Sequence, residues 1–512
     1  MSSNSYYIGV DIGTTSTKAV LYDEKMNVIK MDYKGYPLHS PSPSIAEQDP
    51  DEIFQAVLTT IKEVIKDINP SKIEFVSFSA AMHSLIAVDS EGKPLTQCIT
   101  WADTRATQWA EKIKNELNGI EIYRRTGTPI HPMAPLAKIC WLKNDHPEIF
   151  KKTDKFIGIK EYVFYKLFGD YVTDYSIASA TGLFNLKDLT WDKGALEIAG
   201  ISEERLPKPV STTFTLKGMK KSYTDVLGLP SNIPFVIGAS DGVLSNLGVN
   251  AIEPGTVAIT IGTSGAIRAV TNKPVTDPKG RVFCYALTED YWVIGGPVNN
   301  GGSTFRWVRD ELASAEVETA KLLGKDPYEI LTEIASKVSP GSDGLLFLPY
   351  LAGERAPLWN ANAKGVFFGL ALHHKKEHII RSVMEGVILN LYTVMLALQE
   401  VIGIPKNIQA TGGFARSDLW KQMLADIFNQ EVHIPESFES SCLGAVVLGM
   451  KAIGKIDDFS VVSEWVGTTN VHTPNPENVK LYEELVPIFI RVTRSLQDEF
   501  GEITTFQKKW TK

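Results

Sequence analysis

The chain has 512 residues, 44% of them hydrophobic and 22% charged, with 52 Lys and Arg against 60 Asp and Glu for a net charge of −8. This is the composition of a folded globular protein of two or three domains, which excludes dominant disorder. The acidic balance argues against a nucleic-acid coat or a membrane-surface binder, while anionic ligands stay open because backbone amides bind phosphate without basic side chains. Residues 1–9 have neither a cationic start nor a long apolar run, so no signal peptide is expected. The longest apolar runs, such as 388–398, fall short of the roughly 20 residues that span a bilayer. Cys98, Cys140, Cys284 and Cys442 stand apart with no metal-ligand spacing; they read as buried thiols of a cytoplasmic protein.

Residues 6–23 form a β-rich stretch broken by Gly13-Thr14-Thr15-Ser16-Thr17. A helix follows, because Phe54, Val57, Leu58, Ile61, Val64, Ile65 and Ile68 recur at the 3.6-residue period. Asp49 is its predicted N-cap, Pro50 takes the first helical position, Glu52 can reach back, and Asn69-Pro70 ends it. A strand is expected over 73–79, so the region alternates as an α/β protein does. Further on, strands are expected over 282–287, 291–294 and 345–350, then a long helix over 378–401 and a strand over 408–411. The helix over 418–428 places Trp420, Met423, Leu424 and Ile427 on one face, with Ser417 as N-cap. The Gly- and Ala-rich segment 441–454 suits a closely packed helix. A single charged helix over 477–499 closes the chain, either as a homodimer interface or as a solvated amphipathic face.

One repeat organises the rest. The segment from Ile8 through Asp11, Ile12, Gly13 and Thr14 to Val20 returns in altered form from Val257 through Thr260, Ile261, Gly262 and Thr263 to Val270. Two related domains, 1–250 and 251–512, are therefore expected, with a nucleotide and substrate cleft between them.

Each repeat is a candidate phosphate loop. In the first, Gly13 allows a tight turn and Thr14, Thr15 and Thr17 offer hydroxyls beside Lys18. Asp11, just before the turn, is placed to hold Mg²⁺ through water. The spacing is not that of a Walker loop. The second loop, Gly262-Thr263-Ser264-Gly265, makes a two-sided phosphate clamp the better reading. Gly412-Gly413, between a strand and a helix, lets a flat ligand lie against the backbone.

In order along the chain, Asp11 to Lys18, Gly238-Ala239-Ser240-Asp241, Ile261 to Gly265, Gly353-Glu354-Arg355-Ala356-Pro357 and Gly412 to Ser417 resemble the FGGY carbohydrate kinases. The resemblance implies an α/β fold of two actin-like ATPase (ribonuclease H-like) domains. It also implies Mg·ATP-dependent phosphorylation of a sugar or polyol, with Asp241 as catalytic base and second carboxylate towards Mg²⁺. Gly302, before Phe305, passes close to the nucleotide in that family. Phosphoryl transfer agrees with this set, since it needs an oriented hydroxyl, a carboxylate to take its proton and donors around the phosphates.

The resemblance also places Met82, His83, Asp103 and Arg105 beside the acceptor. The segment Thr126 to Leu136, with Ile159 to Tyr162, looks most like gluconate-phosphorylating members. A small sugar acid, D-gluconate, is the expected partner beside ATP, with neither nucleic acid nor membrane. Its carboxylate needs a cationic or hydrogen-bonding partner, for which His131, Arg105 and Lys160 are candidates. Ile177, Asn360 and Lys364 depart from the wider family's pattern and weaken transfer of pentulose or glycerol contacts. A pentulose or polyol kinase is the alternative, and an ATP-driven switch related to actin or the 70-kDa chaperones a distant one.

Overall fold

The computed structural model describes residues 5–436 and 439–510. The chain divides into two compact units, the first made of residues up to 254 with 270–294 and 439–467, the second of 255–269, 295–438 and 468 onward. A single cut at 250/251 marks only the first crossing, because two later segments return to the first unit. The reason is visible in its glycines. Helix Ser440–Ala452 lies against helix Asp241–Gly248 so closely that a Cβ at Gly248 would meet the Ser440 carbonyl and one at Gly444 the Leu244 carbonyl.

The repeat is two hairpins of one design. Strand Tyr6–Ile12 pairs antiparallel with Ser16–Tyr22 and parallel with Ile73–Ala80. Strand Thr256–Ile261 pairs antiparallel with Gly265–Thr271 and parallel with Asn407–Thr411. The first sheet runs Val28–Gly35, Ser16–Tyr22, Tyr6–Ile12, Ile73–Ala80, Phe235–Ser240, Thr215–Leu216. The second continues from Phe283–Ala286 through Trp292–Val298, Gly265–Thr271, Thr256–Ile261, Asn407–Thr411, Val432–Pro435 and Thr468–His472. Both central strands thus have one antiparallel and one parallel neighbour, and both sheets end on a short antiparallel edge.

The first sheet is covered on both faces. Ile8, Val10 and Ile12 pack with Ile53, Phe54, Val57 and Ile61 of helix Pro50–Val64. Tyr7, Val20 and Tyr22 pack with Leu443, Val446 and Val447 of Ser440–Ala452. Two-sided burial explains why its central strands read as continuous apolar runs. The expected caps are present: Asp49 accepts from the Asp51 and Glu52 N–H groups, and Ser417 Oγ accepts from Trp420 N at 3.2 Å.

Two expectations change. Helix Lys376–Ile402 has 27 residues and is, by length and composition, apolar enough to cross a membrane; it is a core helix instead, with 78% of its most apolar window buried. The charged helix expected over 477–499 is two helices, Pro476–Ser495 and Gln497–Trp510, separated at Leu496. Val479, Tyr482, Val486 and Phe489 of the former are buried. Charge periodicity carries straight through residue 496, so only backbone geometry reveals the break. All four cysteines are free and buried.

Candidate active site

The second hairpin turn opens onto a cavity of about 620 Å³ built wholly within the second unit, the size of an ordinary small-ligand site. Gly262, Thr263, Gly302 and Gly413 line it with Phe414 and Ser417. The turn is interlocked with the start of helix Gly302–Trp307: Gly302 N donates to Gly262 O at 2.7 Å and Ser303 N to Thr263 O at 3.0 Å. A side chain at Gly302 would press on the Gly262 carbonyl at 2.8 Å. Gly412 lies behind the wall at φ 108°, where a Cβ would clash with the Ile261 carbonyl, whereas Gly413 faces open space. A short 3₁₀ turn, Gly413–Arg416, separates this pair from helix Asp418–Phe428, so the glycines do not themselves open that helix.

The Gly353 to Pro357 motif supports this cavity from behind. Glu354 is fully buried and its carboxylate accepts from Asn299 N (2.6 Å), Asn300 Nδ2 (3.1 Å) and Asn390 Nδ2 (2.8 Å). It thereby fixes the chain just before Gly301-Gly302. Burial raises the Glu354 pKa despite those bonds.

The first hairpin carries charge. Asp11 stands directly across from Lys18 and accepts from Ser79 Oγ at 2.7 Å. Burial, and then the facing negative charge of Asp241, push the Asp11 carboxyl up to about 6. Lys18 is bound to Glu439 at 2.7 Å; burial opposes its charge, but Glu439 holds its pKa above the ordinary value. Asp241 opens helix Asp241–Gly248 with Ser240 at the N-cap position, and its Oδ1 accepts from Gly242 N at 2.7 Å. Strand Phe235–Ser240 reaches it through a bulge where Gly238, at φ 70°, has no room for a Cβ against the Phe78 carbonyl.

Gly13, Thr14, Met82 and Trp101 line one narrow crevice in the first unit. Trp101 Nε1 donates to Thr14 Oγ1 at 2.9 Å and Gln48 Nε2 to the Thr14 carbonyl at 2.6 Å. Thr15 is exposed at the tip. Thr17 is a correction: it is fully buried and hydrogen-bonded to the Tyr36 hydroxyl, which itself donates to Gly13 O at 2.6 Å. Strand alternation turns it inward, where it braces the turn and presents nothing to a phosphate.

The acceptor-side residues divide. His83 is buried at φ 69°, its Nδ1 2.7 Å from Ala180 O, and it lines a second small crevice that shares Ser84 with the first. Asp103, Arg105 and His131 line neither crevice. Asp103 and Arg105 are engaged with each other at 2.8 Å, Arg105 also with Glu47 and, 4.6 Å away, with the Trp141 ring. Lys160, 1% exposed, is paired with Asp174 at 2.6 Å. Both cations are thus engaged in ion pairs within the protein. His131 is buried in a turn, its Nδ1 accepting from Met133 N at 3.2 Å.

Sequence reasoning missed the cavity's far wall. Helix Pro327–Ala335 supplies Tyr328, Glu329, Thr332 and Glu333 to it, and the Phe305 ring packs tilted against Tyr328 and Trp420 at 5.5 and 5.3 Å. Asp326-Pro327 signals a helix start, but no local pattern tells which face of that helix borders a cavity.

Known proteins match this architecture along its length. Residues 6–248 match the N-terminal domain of the FGGY family of carbohydrate kinases and 257–453 its C-terminal domain. A gluconokinase of Bacillus licheniformis is 60% identical over 505 residues, 98% of each chain. The crystal structure of a gluconate kinase from Lactobacillus acidophilus superposes with a TM-score of 0.93 at 41% identity, over 98% of this chain and 99% of that one. A ligand-bound xylulose kinase from the same organism gives 0.92 at 41% identity, over 98% and 100%. With both domain types present in order and the duplicated hairpins in place, the chain belongs to the FGGY family of carbohydrate kinases.

Proposed function

We propose that the chain transfers the γ-phosphoryl group of ATP to D-gluconate, giving 6-phospho-D-gluconate. The acceptor rests on one observation, the 60% identity to a gluconokinase across 98% of both chains. In this reading the second-unit cavity takes the nucleotide, with Thr263 and Gly302 at its phosphate end and Gly413, backed by Gly412, as backbone floor. Thr14, Thr15 and Lys18 serve the transferred phosphate from the first unit. Met82 and His83 face the acceptor. Asp241, oriented by the Gly242 N–H, takes the proton of the attacking hydroxyl as general base.

Asp11, whose proton affinity is raised by burial and then by the negative charge of Asp241, fits, together with Asp241, a divalent cation that would relieve this repulsion. Among the described residues no group of three or more His, Cys, Asp or Glu could hold a metal. Asp11 and Asp241 would thus hold Mg²⁺ alongside water and phosphate oxygens, as suits that ion. When bound, it supplies neutralisation of charge on the phosphate oxygens. The four free buried thiols suit a reducing compartment, and the cytoplasm is part of this reading.

In this reading His131 is a candidate for the gluconate carboxylate. The test is ADP release with Mg·ATP against gluconate, xylulose, ribulose, glycerol and related aldonates. A kcat/KM preference for gluconate of tenfold or more is expected. The likeness to the ligand-bound xylulose kinase of Lactobacillus acidophilus keeps a second reading, pentulose phosphorylation, in the same panel; preference for xylulose would select it and retire the role of His131.

A further inference from the structure

Lys138 is fully buried in helix Pro135–Asp145 and has no place in the chemistry above. A lysine is rarely enclosed in this way, because taking an ammonium out of water is costly unless its donors are satisfied. Its Nζ donates to His83 O at 2.7 Å, Thr100 O at 2.7 Å and Ile99 O at 3.3 Å. The Ile99 carbonyl also accepts from Leu85 N at 2.9 Å within the chain's own ladder. The other two carbonyls belong to loops.

One loop follows strand Ile73–Ala80 and carries Met82 and His83; the other follows Cys98–Ile99 and carries Trp101. His83 adopts a left-handed backbone, a conformation disfavoured for a side chain with a Cβ. The bond from Lys138 holds that peptide in place, and the ring is held separately through Ala180 O. From Thr100 the tie extends one residue to Trp101, which grips Thr14 of the hairpin turn.

We propose that Lys138 is a positioning residue for acceptor recognition: its ammonium fixes the His83 and Thr100 peptides, so that Met82, His83 and Trp101 meet the acceptor as one preset surface. This rests on the reading above that those segments face the acceptor. The charged groups around the ammonium are Asp103, which favours it, and Arg105, which opposes it; Arg105 is itself compensated by Glu47, the Cys98 thiol is pushed up to about 12 by burial and stays neutral, and the His83 imidazole lies on the clasped loop. Burial pushes Lys138 down to about 7. Loss of the proton leaves two N–H donors for three carbonyls, so the clasp is complete below that pH and weakens above it.

The experiment measures KM for gluconate and for ATP separately in the intact protein, Lys138→Met and Lys138→Gln, with Tm for each. Lys138→Met is expected to raise the gluconate KM at least tenfold and change the ATP KM less than twofold. Lys138→Gln, which keeps two donors on a shorter arm, is expected to fall between. Proportionate rises in both KM values, or no change in either, would overturn the proposal by making the lysine merely structural. If neither variant folds, the unaltered protein decides. A gluconate KM that climbs from pH 7 to 9 while that for ATP stays level supports the clasp, and a level gluconate KM sinks it. Failure of the functional reading shows separately, as an unaltered protein that does not phosphorylate gluconate at all.

Discussion

The two hairpins have the same strands, the same pairing and the same kind of parallel neighbour, yet they do opposite things at their turns. In the first, Asp11 faces Lys18; at the corresponding place in the second, Thr260 faces Ala266. The first turn is braced by side chains, from Tyr36, Gln48 and Trp101. The second is braced by backbone, through Gly302 and Ser303. A duplicated frame therefore differs through a few residues at one position: the first turn carries the charged Asp11 and Lys18, the second an uncharged Thr260 and Ala266 beside a glycine-edged cavity. The difference has an electrostatic logic. A nucleotide already carries its own negative charge and needs donors, while an attacking hydroxyl needs a carboxylate.

The sharpest way to break this division is Asp241→Asn. It is expected to lower kcat by about 10²- to 10⁴-fold while leaving affinity for a non-hydrolysable ATP analogue within threefold. Calorimetric titration alongside ADP release checks both, and a residual kcat above a tenth of normal would place the base elsewhere.

The mirror experiment on the neutral side is Gly412→Ala. Its left-handed φ and the Ile261 carbonyl leave no room for a methyl group, so a loss of about 1–3 kcal/mol in stability is expected. The ATP KM should rise about tenfold with little change in that for gluconate. A reversed pattern would mean the floor of the second cavity does not serve the nucleotide.

Asp11→Asn separates function from stability. The folded-state pKa of Asp11, about 6, lies above its unfolded value of about 3.9, so the native state binds the proton more tightly. Its ionisation removes stability progressively as pH rises from about 4 to 6, and the penalty is complete above that range. The Asn variant escapes it. Its Tm should exceed that of the unaltered protein at pH 8, with the gap closing by about pH 4, although activity falls. Thermal scans with and without Mg²⁺ test this further: the ion should narrow the gap at pH 8. A Tm difference independent of pH would remove the charge argument.

The smallest effect belongs to Thr17→Val. The hydroxyl bond to Tyr36 is worth about 1 kcal/mol, and kcat/KM for either substrate should change less than threefold. A larger catalytic loss would return Thr17 to the phosphate loop.

What was readable from local pattern was considerable where one segment carried the whole signal. The helix beginning at Asp49-Pro50 and the cap at Ser417 follow from side chains within four residues of the backbone they serve. The close helix contact of 441–454 follows from the small size of Gly444 and its neighbours. What was not legible involves partners outside the local motif. Arg105 looked available because Glu47 lies 58 residues away. Lys160 looked available because nothing in its own segment marks Asp174 as its partner. Thr17 looked like Thr14 and Thr15, since nothing in the run Thr-Thr-Ser-Thr tells which hydroxyl faces Tyr36.

The sequence by itself determined the duplicated hairpins, the family and the acidic residues at the first turn and helix start, because each is written in a contiguous motif whose spacing constrains the backbone directly. Tertiary structure alone decided which cations are spent in internal pairs, which helix walls the second-unit cavity and where a buried lysine gathers two loops. Those outcomes depend on distance in space between segments remote in the chain, and electrostatic pairing and burial act on that distance rather than on sequence separation.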